Sequence, residues 1–183
     1  MYIQEAVQQL KQKNVILYPT DTVWGLGGDA TSDVVADKIF HLKQRPKNLP
    51  FIILVDSLEM LQNYVQSIPI QIKDLMSSMT PTTIIYPESK NLASKVVGRD
   101  GSVGIRVIQT KFCRDLIRHF GKPIISTSAN LSGQNSPKEY SDIDKNIIDK
   151  VDYIVPLFEW TGTKVPSKVV RVNISGTIEI LRH

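Results

Sequence analysis

Residues 18–31 read "YPTDTVWGLGGDAT", with a proline at 19 and glycines at 25, 27 and 28, so no helix can run through them. They follow the apolar run "VILYP" and precede an amphipathic segment that starts near Asp33. The composition therefore predicts a working loop between a strand and a helix. "GLGGDA" satisfies a relaxed dinucleotide fingerprint, but Gly25 comes six residues after Pro19. That fingerprint needs an immediate strand-to-helix turn, so a Rossmann site is not expected. A GxxxxGK(S/T) phosphate loop is absent. Tight turns would also account for some of the glycines. The hydroxyls of Thr20 and Thr22 and the Asp21 carboxylate are expected to share a space at the strand end, suited to an amino-acid-sized ligand.

Around this loop the chain alternates helical and β-like patterns. Ile3, Val7 and Leu10 recur at helical spacing, and Asn14 is a natural stop. Thr31, Ser32 and Asp33 are candidate caps for a helix carrying Val35, Ile39 and Leu42 on one face, ended by Pro46. "FIILV", "TTIIYP", "SVGIRVI" and "KPIIS" read as strands, and helices are expected near Leu58–Val65, over 70–79 and across "KFCRDLIRHF", closed by Gly121. "YIVPL", "SKVVRVN" and "TIEILR" are β-like, the last two as an antiparallel hairpin. The expected fold is α/β (α+β): a twisted mixed sheet with helices on both faces, in a single domain spanning 1–183. Polar residues 131–142 read as a mobile loop.

No run of 18 apolar residues occurs, and the amino terminus is patterned as an amphipathic helix rather than a signal peptide. A cytoplasmic protein with no membrane association is expected. Cys113 is the only cysteine, which excludes an intramolecular disulfide and reads as a half-buried helical thiol. His41, His119 and His183 lack metal-ligand spacing, so no structural metal is expected. The net charge of +4 suits anionic substrates or RNA, yet no Lys/Arg block marks a dedicated nucleic-acid binder.

With the 18–31 loop, two further segments could hold one anion, and Arg106 is a fourth candidate. Lys43 and Arg45 in "LKQRP" can point the same way once Pro46 forces an extended predecessor; equally, they could simply complement the helix dipole. "IISTSANLSG" ends a buried strand in small polar residues, more of them than a turn needs. Arg106 is a cation inside an apolar strand, so it needs an anionic partner, either a structural carboxylate or a ligand.

"YPTDTVWGLGGDA", the K-x-R-P of "LKQRP", S-V-x-(I/V)-R and "STSANLSG" occur in an order that resembles the YrdC-like threonylcarbamoyl-AMP synthases, over nearly the whole chain and in the short, single-domain bacterial form. The resemblance implies a nucleotidyltransferase that makes threonylcarbamoyl-adenylate and pyrophosphate from L-threonine, bicarbonate and ATP, with Mg2+ on the nucleotide. The product would pass to a tRNA-modifying transferase complex, for N6-threonylcarbamoyladenosine. Lys43 and Arg45 would then be catalytic and, with Ser102, Ser128, Asn130, Ser136 and Arg182, would bind ATP. Thr22, Arg106, Ser126 and Ser167 would surround threonine. The chain departs from the family at Leu49, where relatives carry Asn and Asn48 stands one place earlier, at "SMTPTT" (78–83) for W-P-G-P-x-T, and at "SKVVR" (167–171) for S-T-V-V-D. The alternatives are a non-catalytic double-stranded RNA-binding module, motivated by the charge, or a paralogue that adenylates another carbamoyl compound.

Overall fold

Nine short strands and five α-helices account for the architecture of residues 2–46, 49–72, 75, 80–156, 162–173 and 175–183, which a computed structural model describes. The strands are β1 (Ile16–Pro19), β2 (Trp24–Asp29), β3 (Ile52–Val55), β4 (Thr82–Tyr86), β5 (Val103–Val107), β6 (Ile124–Ser128), β7 (Tyr153–Ile154), β8 (Lys168–Val172) and β9 (Ile178–Arg182). The helices are α1 (Tyr2–Lys11), α2 (Asp33–Lys43), α3 (Leu58–Gln62), α4 (Lys111–Phe120) and α5 (Lys145–Ile148). The strands form one sheet in the order β7-β1-β2-β6-β3-β5-β4-β8-β9. Pairs β1/β7, β3/β5 and β4/β8 are parallel and the others antiparallel, so the sheet is mixed as its sequence pattern predicts.

Because side chains alternate along a strand, each apolar run feeds both faces. Leu17, Ile53, Val55 and Ile125 join Val35, Ile39 and Phe40 of α2 in one core. Ile16, Tyr18, Leu54 and Ile124 point the other way and join Ala6 and Leu10 of α1 with Leu116 and Ile117 of α4. Each such buried side chain contributes about 1.5–3 kcal/mol. Ser32 caps α2 by accepting from the Val35 amide, and Gly121, in the left-handed region at φ 76°, closes α4.

Several local expectations change. The first helix ends at Lys11, and the reversal is made by Lys13 (φ 61°), after which the Asn14 amide donates to Gln9 O at 3.0 Å. α3 stops at Gln62, and Val65 instead makes a lone bridge to Ser89. Of the helix expected over 70–79, Ile70–Ile72 is a single 3-10 turn, and most of the remainder lies outside the described residues.

The larger correction concerns 18–31. Only residues 20–23 and 30–31 turn; Trp24–Asp29 is a fully buried strand, antiparallel to β1 on one side and to β6 on the other. Its glycines are not in the left-handed region. Gly27 serves close approach instead, since an added Cβ would lie 2.5 Å from Tyr18 Cε1 and 2.9 Å from Ile125 O. Gly27→Ala is therefore expected to destabilise the fold by about 1–3 kcal/mol through overpacking, read as a lowered denaturation midpoint with an unchanged slope.

Candidate functional site

The face that packs on α1 and α4 changes character along its strands. On β6, Ile124 is apolar and covered, while Ser126 and Ser128, on the same face, are polar and lie beyond the helices. Register sets Gly25 opposite Ser128 and, through Leu54, Arg106 level with Ile124, with Thr83 next to Arg106 where the β4/β5 ladder continues. A cleft of about 220 Å³ opens over this part of the sheet.

Eight of the residues singled out in the sequence line that one cleft: Arg45, Ser128, Ser136, Arg182, Thr22, Arg106, Ser126 and Ser167. Lys43 and Asn130 stand behind its wall. Lys43 is 2% exposed, and its Nζ donates to the main-chain oxygen of Ser128, to Asn130 O at 2.6 Å and to Asn130 Oδ1 at 3.4 Å. Its three donors thus meet three acceptors. The Ser128 hydroxyl donates to Asn130 Oδ1, so the segments "LKQR" and "SAN" interlock.

Ser102 lies elsewhere. It borders a separate hollow with Asp100 and Arg171, and its hydroxyl donates to Asp100 Oδ1 at 2.7 Å, closing the 98–102 turn. Four residues of extended strand, about 13 Å, separate it from Arg106. Asn48 and residues 78–79 lie outside the described residues; Leu49 is exposed.

Arg106 has the structural carboxylate that its burial called for, with Nη2 lying 3.0 Å from Asp21 Oδ1. Burial pushes the Asp21 carboxyl above its ordinary range, against the pull of Arg106. Asp21 turns away from the cleft and lines an adjacent apolar cavity, so it does not share the space of Thr20 and Thr22. Thr20 is itself part of the turn: its hydroxyl donates to Val23 O at 2.8 Å and accepts from the Thr22 amide at 3.1 Å. The pair leaves Arg106 half used, since its buried Nε has no partner. Arg45 is alike: Nη2 donates to Pro50 O at 2.9 Å, the guanidinium sits 5.3 Å from the Phe51 ring centroid, and the buried Nε is unpartnered. Arg182 donates through Nε and Nη2 to Ser167 O at 2.9 and 2.7 Å. Three guanidinium groups and several hydroxyls thus face one space whose lining, among the described residues, includes no carboxylate.

Cys113 is fully buried rather than half-buried, donates to Pro19 O at 3.3 Å and has its thiol pushed up to about 12, so it is not a nucleophile at neutral pH. Among the described residues, no group of three or more His, Cys, Asp or Glu is placed to hold a metal ion, and no helix is long and apolar enough to cross a membrane.

The fold and cleft define an α/β protein whose half-covered sheet face carries a cleft lined by guanidinium groups and hydroxyls. Its residues 8–183 match the profile of the Sua5/YciO/YrdC family, described as "Telomere recombination", and the chain belongs to that family. It is 33% identical over 180 residues to the threonylcarbamoyl-AMP synthase of Pseudoalteromonas translucida, covering 96% of this chain and 95% of that one. It is also 33% identical over 187 residues to the threonylcarbamoyl-AMP synthase of Buchnera aphidicola, covering 99% and 97%. Among solved structures, Sua5 of P. abyssi complexed with L-threonine superposes with a TM-score of 0.86 at 26% identity, over 98% of this chain but 53% of that one. The chain thus spans about half the length of that protein.

Burial, then the charge of Arg45, lowers the Lys43 pKa to about 7. The folded protein releases this proton near pH 7 and the unfolded chain only near the ordinary value of 10.5, so between them the unfolded state holds more protons and stability rises with pH. Denaturation of wild type and Lys43→Gln across pH 7 to 8.5 is expected to show this rise in the wild type alone; parallel profiles would refute the shift.

Proposed function

We propose that the chain is a threonylcarbamoyl-AMP synthase: a nucleotidyltransferase that converts L-threonine, bicarbonate and ATP to threonylcarbamoyl-adenylate, pyrophosphate and water. The observation that carries this reading is the convergence of Arg45, Arg106 and Arg182 with Ser126 and Ser128 on one cleft. Guanidinium groups gathered beside hydroxyls suit phosphate and carboxylate oxygens. The names of the relatives support the choice of anion, and the P. abyssi protein with L-threonine supports an amino acid beside it.

In this reading threonine, its amine carboxylated by bicarbonate with loss of water, attacks the α-phosphorus of ATP through a carbamate oxygen, and pyrophosphate leaves. Negative charge spreads over the phosphoryl oxygens, where fixed cations act without a covalent intermediate. Arg45 offers its free edge to the phosphates. Lys43 supplies charge from behind the Ser128 wall and, being poised near pH 7, takes up a proton when an anion binds. Ser128, Asn130, Ser136 and Arg182 bind the nucleotide, and Thr22, Arg106, Ser126 and Ser167 the threonine, with the Arg106 guanidinium beside its carboxylate. Ser102 reaches ATP only if the nucleotide extends to its hollow. With no carboxylate in the lining among the described residues, Mg2+ would be held by phosphate oxygens and water. The single-domain protein acts in the cytoplasm and passes its adenylate to a tRNA-modifying transferase complex.

Pyrophosphate release is expected to require ATP, L-threonine and bicarbonate together. Lys43→Ala and Arg45→Ala should each lower turnover by at least about 100-fold. Release that persists without threonine or bicarbonate, or wild-type turnover in both variants, rejects the proposal.

A further inference from the structure

Thr83 sits on β4 under the cleft, 1% exposed, and is assigned no part in the reading above. It is the last residue of "SMTPTT". The parallel pairing of β4 with β8 sets Thr83 beside Val169, which places Ser167, two residues earlier, on the same face. The two hydroxyl oxygens lie 2.8 Å apart across 84 residues of chain, and Ser167 is itself 3% exposed.

Which hydroxyl donates follows from the partners of each. Among the described residues, Ser167 Oγ is the only partner of the Thr83 hydroxyl. If Thr83 accepted there, its own proton would be buried without an acceptor; donating to Ser167 avoids that cost. Ser167 Oγ also faces Arg182 Nη2 at 3.4 Å, a second donor on the same oxygen. With its lone pairs directed at Thr83 and Arg182, Ser167 keeps its own proton for the cleft that it lines. The same residue's carbonyl carries Arg182 through two hydrogen bonds, so this short segment links the floor of the sheet to its edge strand.

We infer that Thr83 is a positioning residue: it donates to Ser167 Oγ and thereby presents the Ser167 hydroxyl as a hydrogen-bond donor to an acceptor oxygen of the ligand, a carboxylate oxygen of the amino acid. This rests on the synthase reading, in which Ser167 belongs to the threonine side. Thr83 touches no reacting atom and acts only through Ser167.

The test is calorimetric titration of L-threonine, and separately of ATP, into wild type, Thr83→Val, Thr83→Ala and Thr83→Ser. Thr83→Val keeps the shape and removes the hydroxyl, Thr83→Ala removes it from a smaller side chain, and Thr83→Ser retains it. The two variants lacking the hydroxyl are expected to bind L-threonine about 10-fold more weakly, in line with the loss of one buried hydrogen bond, while Thr83→Ser stays within about threefold of wild type. ATP binding alone should change less than about twofold in all three. In a double-mutant cycle, Thr83→Val should add no further loss to Ser167→Ala. Steady-state kinetics should show a raised KM for L-threonine with kcat nearly preserved. Unchanged L-threonine affinity in Thr83→Val and Thr83→Ala overturns the inference, as does an equal loss for ATP or an additive cycle. Wild-type protein that binds no L-threonine overturns the synthase reading itself.

Discussion

A nine-stranded sheet is about 38 Å across, whereas two ten-residue helices side by side cover about 20 Å. Helices α1 and α4 can therefore shield only half of the face on which they pack. The other half must either be polar or be covered by something else. It is polar, with hydroxyls and guanidinium groups at the inward positions of β5, β6 and β4 where β1 and β3 carry Ile and Leu. The cleft is thus the uncovered part of the same surface that elsewhere makes the core, so its floor is as rigid as the sheet.

On that floor the electrostatics are arranged in two ways. Lys43 is buried against oxygens that carry only partial charge, a costly arrangement that lowers its pKa, yet it locks the end of α2 to the end of β6. Arg106 is buried against a full charge, Asp21, which stabilises it without using all of its donors. Buried charges of both kinds are expensive to keep. Lys43 has an acceptor for each of its donors, whereas Arg106 keeps an Nε without a partner beside its ion pair.

Much of the sheet and the helices was legible because period-two and 3.6-residue alternation survive in short segments: "KFCRDLIRHF" with its closing glycine, and "SKVVRVN" with "TIEILR" as a hairpin. The 18–31 stretch misled because glycine is ambiguous in sequence. The same residue marks a turn or a tight approach, and only the position of Tyr18 over Gly27 separates the two. The convergence of "LKQR" with "SAN" was anticipated in kind, although Lys43 lies behind the wall rather than on it. Ser102 was misplaced because a run that contains both it and Arg106 does not show that four residues of strand carry them to different hollows. Neither the Asp21–Arg106 pair nor the Thr83–Ser167 contact had a local signal, since each joins residues more than 80 apart in the chain.

β9 pairs with β8 on one flank only, and all five of its residues are exposed, yet it carries Arg182 into the cleft. Fraying of such a border strand needs far less free energy than melting the interior. Detachment would withdraw a guanidinium group from the pocket and leave the remainder of the domain folded. An anion held by Arg182 therefore tightens the outermost strand, and whatever loosens that strand shortens the time the anion stays.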